Sequence, residues 1–103
     1  MDAISMDETV FCSVAEVHTA HATRYMVQLC KHFEHRAPAT YDAVSGSIRF
    51  TMGECRLRAE EGVLRLEVFS AEAAGLAALQ EVLARHLVRF AFREEMAVVW
   101  RAG

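Results

Sequence analysis

The spacing of apolar and polar positions along this chain changes period repeatedly, and each change marks an element boundary. Residues 10–17 are rich in β-branched and small side chains and predict a first strand. From Thr19 the period becomes helical: Ala22, Met26, Leu29, Cys30 and Phe33 follow the i, i+3, i+4 rule. Pro38 stops that run, because the residue before a proline avoids the α region, so the first helix is placed over about residues 20–35. Residues 40–69 alternate with period two, broken at Val44-Ser45-Gly46, at Met52-Gly53 and at Glu60-Glu61-Gly62, which predicts four short strands. Ser70 can cap a second helix whose stripe is Leu76, Leu79, Leu83, Leu87 and Phe90 and which runs out near Ala91 to Arg93. Residues 97–101 complete the series as a closing strand.

The order β-α-β-β-β-β-α-β predicts an α+β two-layer sandwich: a mainly antiparallel sheet with two helices on one face. Side chains of a strand point to alternate sides. Ile48, Phe50 and Met52 therefore share a face, as do Cys55, Leu57 and Ala59, and Leu64, Leu66 and Val68, and these sets are assigned to the helix side. Arg49, Thr51, Arg56, Arg58, Arg65 and Glu67 fall on the open side, which reads as a solvated face balanced by Glu54, Glu60, Glu61 and Glu67 and suited to a dimer contact. No linker or repeat divides the chain, so a single domain over 10–103 is expected after a disordered acidic leader over 1–9.

Composition narrows the class further. The chain is 103 residues long, 53% hydrophobic and 24% charged, with one proline, which is the profile of a globular domain able to build one core. A formal net charge of -3 provides no global footprint for nucleic acid or anionic lipid, and no apolar run approaches the roughly 18 residues of a membrane span. Neither nucleic acid nor membrane is expected as a partner. Cys12, Cys30 and Cys55 are odd in number, lack CxxC spacing and fall within apolar patterns, which argues for core thiols in a reducing, cytoplasmic setting.

Candidate chemistry concentrates on the helices. At about 100° per residue, His21, Tyr25, Gln28, His32 and His35 project within an arc of about 80° opposite the apolar stripe. His32 and His35 are one turn apart, the spacing at which two neutral imidazoles can share Zn²⁺ or Fe²⁺, although no HExxH or facial-triad pattern supplies a third ligand. His86 sits at the edge of the second stripe as a half-buried ring, and Cys30 and Cys55 lie on the core side, where a thiol is inert. Arg89, Arg93, Glu94 and Glu95 cluster where the second helix ends, with cations suited to its dipole. No glycine-rich phosphate loop, nucleophile elbow or RNA platform is present.

Three stretches carry a resemblance: Arg24-Tyr25-Met26-Val27-Gln28-Leu29-Cys30-Lys31-His32-Phe33-Glu34-His35, Phe50-Thr51-Met52-Gly53-Glu54-Cys55-Arg56-Leu57, and His86-Leu87-Val88-Arg89-Phe90-Ala91-Phe92-Arg93-Glu94. With them the chain resembles, from about Ser13 to Arg101, the bacterial family known as domain of unknown function 2218. The resemblance implies no catalytic residues, since the family has no established activity. Some members look joined to, or encoded with, siderophore-interacting flavin reductases, which implies a connection with iron handling. It also raises Arg24, Tyr25, His32, His35, His86, Arg89 and Arg93 as ligand-binding candidates, because exposed polar motif residues are poorly explained by packing.

The resulting expectation is a non-enzymatic module that binds a small anionic or iron-linked ligand or a protein partner, as a monomer or a homodimer. A metal-dependent or histidine-based enzyme and a structural dimerisation module are the alternatives. They differ in geometry: an enzyme gathers the histidines around a concave pocket, whereas an assembly surface leaves them spread.

Overall fold

Strand β1 runs over Phe11–His18, followed by helix α1 over Ala22–Phe33. Strands β2 (Ala39–Tyr41), β3 (Ser45–Phe50), β4 (Gly53–Glu60) and β5 (Val63–Ser70) come next, then helix α2 over Ala73–Phe90 and a short β6 at Arg101–Ala102. This computed structural model describes residues 10–103, and the acidic leader expected over 1–9 lies outside them. All six strands form one antiparallel sheet in the order β2-β3-β4-β5-β1-β6, so the expected fold class and element order hold. The edges are its two shortest strands, of three and two residues, which leaves little unpaired backbone to template association.

Period-two alternation sorts the faces as anticipated. Ile48, Cys55, Leu57, Ala59, Leu64, Leu66 and Val68 are buried under the helices, together with Ala15 and Val17 of β1. α1 lies over β2, β3, β4 and β5 and α2 over β5, β1 and β4, so the two helices meet side by side along a seam. Buried Met26, Leu29, Leu79, Leu83 and Leu87 are the helical half of the core. Their transfer out of water, about 1.5–3 kcal/mol for each fully buried large apolar side chain, is the main force holding the layers together.

Four local expectations are corrected. Met52 is 41% exposed, because residues 51–52 form the β3–β4 turn and so leave the alternation. α1 begins two residues late and ends two early. The Thr19 hydroxyl accepts the His21 amide at 3.0 Å in a turn that precedes the helix, and residues 34–36 form the turn after it. Ser70 is not the N-cap of α2, which is Glu72. Its buried hydroxyl accepts the Glu72 amide at 3.2 Å and donates to the Met52 carbonyl at 2.7 Å, tying the end of β5 to the β3–β4 turn. The closing strand is shorter and later than residues 97–101. Met96, Val98 and Trp100 alternate onto the core, but ladder pairing starts only where Arg101 meets Val14 and Ala102 meets Ser13.

Gly53 shows how tightly the turn is drawn in. A β-carbon there would stand 2.0 Å from the Phe69 carbonyl oxygen, a backbone atom that cannot swing aside. Gly53→Ala is expected to lower stability by about 1–3 kcal/mol, the cost of a forced backbone rearrangement, whereas Gly62→Ala meets no neighbour and costs only its left-handed φ of 77°. Urea unfolding of the two variants checks the order.

Candidate functional site

The seam between α1 and α2 gathers most of the polar candidates. Tyr25 is 5% exposed, which corrects its placement on the outer arc of α1: Ala22, Tyr25, Met26, Leu29 and Cys30 form one inward stripe. The ring is buried while its hydroxyl reaches the seam and donates to Glu94 Oε2 at 2.5 Å. The Thr19 hydroxyl lies 3.1 Å from Oε1 and 3.3 Å from Oε2 of the same carboxylate. Glu94 therefore joins the start of α1 to the turn after α2. The Tyr25 hydrogen bond, then that from Thr19 and the nearby His21 and Arg24 charges, hold its carboxyl below the usual range, against a smaller desolvation effect. The same bond pushes the Tyr25 phenol up.

Around this link is a concavity of about 300 Å³ lined by Arg24, Tyr25, Phe90, Phe92 and Arg93. Phe92 is 77% exposed, and the Arg93 guanidinium lies over its ring at 5.3 Å from the centroid, the geometry of a cation–π contact. Among the described residues, no carboxylate comes within 4.0 Å of the Arg24, Arg89 or Arg93 guanidinium. Glu94, whose carboxylate feels the Arg24 charge, is already held by two hydroxyls. Among the described residues, the charged side chains lining the hollow are the Arg24 and Arg93 guanidiniums, on a chain of net charge -3.

Further along the seam the histidines meet in a combination that helical spacing does not suggest. His32 lies beside His86 with ring centroids 4.6 Å apart and planes tilted by 51°. Phe33 and Phe90 flank the pair, Phe33 at 4.8 Å from His32 and 5.0 Å from His86, Phe90 at 5.7 Å from His32. His86 Nδ1 lies 2.7 Å from the Val82 carbonyl, an acceptor, so that nitrogen carries a proton and, in the neutral ring, Nε2 is the nitrogen with the lone pair. Burial, then the charge of His86 and of Arg36, Arg89 and His35, lowers the His32 pKa. His35 stands beyond the helix end, exposed in the turn over residues 34–36.

The sheet arginines are arranged differently. The open face holds a hollow of about 540 Å³ whose lining includes Glu16, Arg56, Arg58, Glu60, Arg65 and Glu67. Arg65 pairs with Glu16 at 2.9 Å and Glu67 at 3.2 Å, and Arg56 pairs with Glu54 at 3.2 Å while covering the Phe69 ring at 4.9 Å. Arg58 stands opposite Arg65 across the β4–β5 ladder. Most of this charge is already engaged within the sheet, so the larger hollow is a weaker anion site than the seam. Cys30 is pushed up to about 11 by burial, then by the Glu34 charge, and burial drives Cys55 higher still, which keeps both thiols protonated and unreactive. Among the described residues no group of three His, Cys, Asp or Glu side chains converges as a metal site, and no helix is long and apolar enough to cross a membrane.

Residues 14–101 match the family model described as an uncharacterised protein conserved in bacteria (DUF2218). The chain belongs to this family. The fold is likewise similar to a solved member of the bacterial protein universe, the NMR structure of PA4090 from Pseudomonas aeruginosa, at 33% identity and a TM-score of 0.76, covering 88% of this chain and 95% of that one. No curated protein matches. Neither description names an activity or a ligand. For this DUF2218 chain the site rests on geometry, and Phe92, Phe90, Glu94 and Thr19 are the seam residues that sequence reasoning left out as candidates. An aromatic so exposed, set directly before Arg93 and Glu94 past the end of the apolar stripe, was the available signal for Phe92.

Proposed function

We propose that this chain is a non-enzymatic module that binds a small anion, a carboxylate or phosphate carried on a planar or apolar body, at the α1–α2 seam in a reducing, cytoplasmic setting. The observation that carries this reading is the pair Arg24 and Arg93, which flank a concavity with no carboxylate in ion-pair reach among the described residues. Each guanidinium offers a planar fork of donors that matches a carboxylate or phosphate edge. Phe90 and Phe92 supply apolar surface for the rest of the ligand, and the Tyr25–Glu94–Thr19 link fixes the distance between the two helices. The free thiols Cys12, Cys30 and Cys55 accord with a reducing compartment.

Titration with phenyl phosphate, followed by the arginine side-chain and backbone amide resonances, tests the reading. Saturable shifts at Arg24, Phe92 and Arg93 are expected, weakened by about tenfold or more in Arg24→Ala combined with Arg93→Ala, since a hydrogen bond to a charged group contributes about 1.5–3 kcal/mol and 1.4 kcal/mol is tenfold. Arg56→Ala on the open face should leave the affinity unchanged. Equal binding by the double variant, or shifts confined to the sheet face, would overturn the assignment.

A further inference from the structure

We propose that His32 and His86 form a two-imidazole site for a divalent transition metal of borderline softness, Zn²⁺ being the probe of choice, with water or an exogenous anion completing the coordination. This goes beyond the anion reading, uses different residues, and stands or falls separately.

The two rings come from different helices and lie side by side with centroids 4.6 Å apart and planes tilted by 51°. Two imidazoles bound to one ion at about 2.0–2.1 Å in tetrahedral geometry hold their centroids about 5 Å apart, close to the separation of this pair. The proton arrangement also fits. A metal-ligating histidine commonly gives its other ring N–H to a carbonyl, which fixes the tautomer and directs the remaining lone pair at the ion. His86 has this arrangement, with Nδ1 at 2.7 Å from the Val82 carbonyl and Nε2 left as the donor to metal.

His32 is exposed, so the open coordination positions face water, while Phe33 and Phe90 pack against the rings and restrict their rotation. The nearby Arg36 and Arg89 charges favour an anion such as chloride or a carboxylate in the remaining positions. Imidazole donors with no converging carboxylate among the described residues suit Zn²⁺, Cu²⁺ or Ni²⁺ over Mg²⁺ or Ca²⁺. His35, one turn from His32 in sequence, is placed past the helix end and is not a ligand in this assignment.

The experiment is a Zn²⁺ titration of the full, untagged chain by calorimetry and by histidine ring NMR, with Mg²⁺ as control. One equivalent of Zn²⁺ should bind, with shifts at His32 and His86 and none at His18 or His21. His32→Ala and His86→Ala should each weaken binding by about tenfold or more, and His35→Ala should leave it unchanged. Because His86 is half-buried, thermal unfolding accompanies that variant, and the exposed His32→Ala carries the conclusion if His86→Ala fails to fold. Absence of saturable Zn²⁺ binding would overturn the proposal, as would binding lost in His35→Ala but kept in His86→Ala. Phosphate-ester binding that survives in His32→Ala leaves the anion reading intact whichever way the metal result falls.

Discussion

Leu87→Ala is expected to lower the unfolding free energy by about 2–5 kcal/mol, a large share of the about 5–15 kcal/mol that holds a domain of this size. Leu87 is 0% exposed and sits among the buried residues that join α2 to the sheet. Removing most of its side chain loses the transfer free energy of the deleted atoms and leaves a cavity that a sheet-backed helix can only partly collapse. The neighbouring Val88 is 49% exposed, and Val88→Ala should change stability by no more than about 0.5 kcal/mol. Leu87 follows His86 and lies one turn before Ala91, so the cavity forms directly behind the seam. Chemical denaturation of both variants measures the difference. A loss below about 1 kcal/mol for Leu87→Ala would mean that α2 is not anchored as the packing requires.

The same residues show which parts of this fold are legible in sequence. The apolar stripe of α2 was readable because Leu79, Leu83 and Leu87 repeat at helical spacing over a long run, and all three are fully buried. The sheet faces were readable because apolar and polar side chains alternate from Cys55 to Glu60 in β4 and from Leu64 to Val68 in β5. Where the period is interrupted, the reading drifts. Met52 continues the parity of Ile48 and Phe50 on paper, but a turn resets the alternation. Tyr25 was assigned outward with the arc of His21, Gln28, His32 and His35, although its i, i+3 relation to Ala22 and i, i+4 relation to Leu29 put it on the buried stripe. A tyrosine can satisfy both demands, with its ring in the core and its hydroxyl at the rim.

The site itself was only half readable, for a physical reason. His32 and His35 are related by local helical geometry, so sequence spacing suggests their pairing. His32 and His86 are related by the side-by-side docking of two helices, and no local period encodes that. The Glu94 contacts to Tyr25 and Thr19 span sequence separations of 69 and 75. Such contacts exist only once the sheet has set where each helix lies. The motif segments lie on elements that meet in space: Arg24 and Tyr25 on α1 and Arg93 after α2 line one hollow.

Tyr25 carries the second large effect, and two substitutions separate its parts. Tyr25→Ala should destabilise by about 3–5 kcal/mol, as for other buried aromatic side chains truncated to alanine, because the ring packs in the core. Tyr25→Phe keeps the ring and removes only the donor to Glu94. In the native chain the folded-state carboxyl pKa is depressed, so the link contributes stability that is present above the unfolded carboxylate range and is lost as pH falls through the lowered folded value. The Tyr25 phenol is raised, so its contribution is present below its ordinary value near 10 and is lost as pH rises through the raised one. Tyr25→Phe removes the larger part of the first dependence and all of the second. Its stability should therefore be lower at pH 7, fall less steeply between pH 7 and the acid limb, and lack the loss above pH 10 that the raised Tyr25 phenol produces in the native chain. Urea midpoints measured across that range check each limb separately. A Tyr25→Phe profile parallel to the native one on both limbs would mean that the hydrogen bond to Glu94 does not hold in solution. The hollow between Arg24 and Arg93 would then lack its fixed floor, and anion binding at the seam should weaken in the same variant.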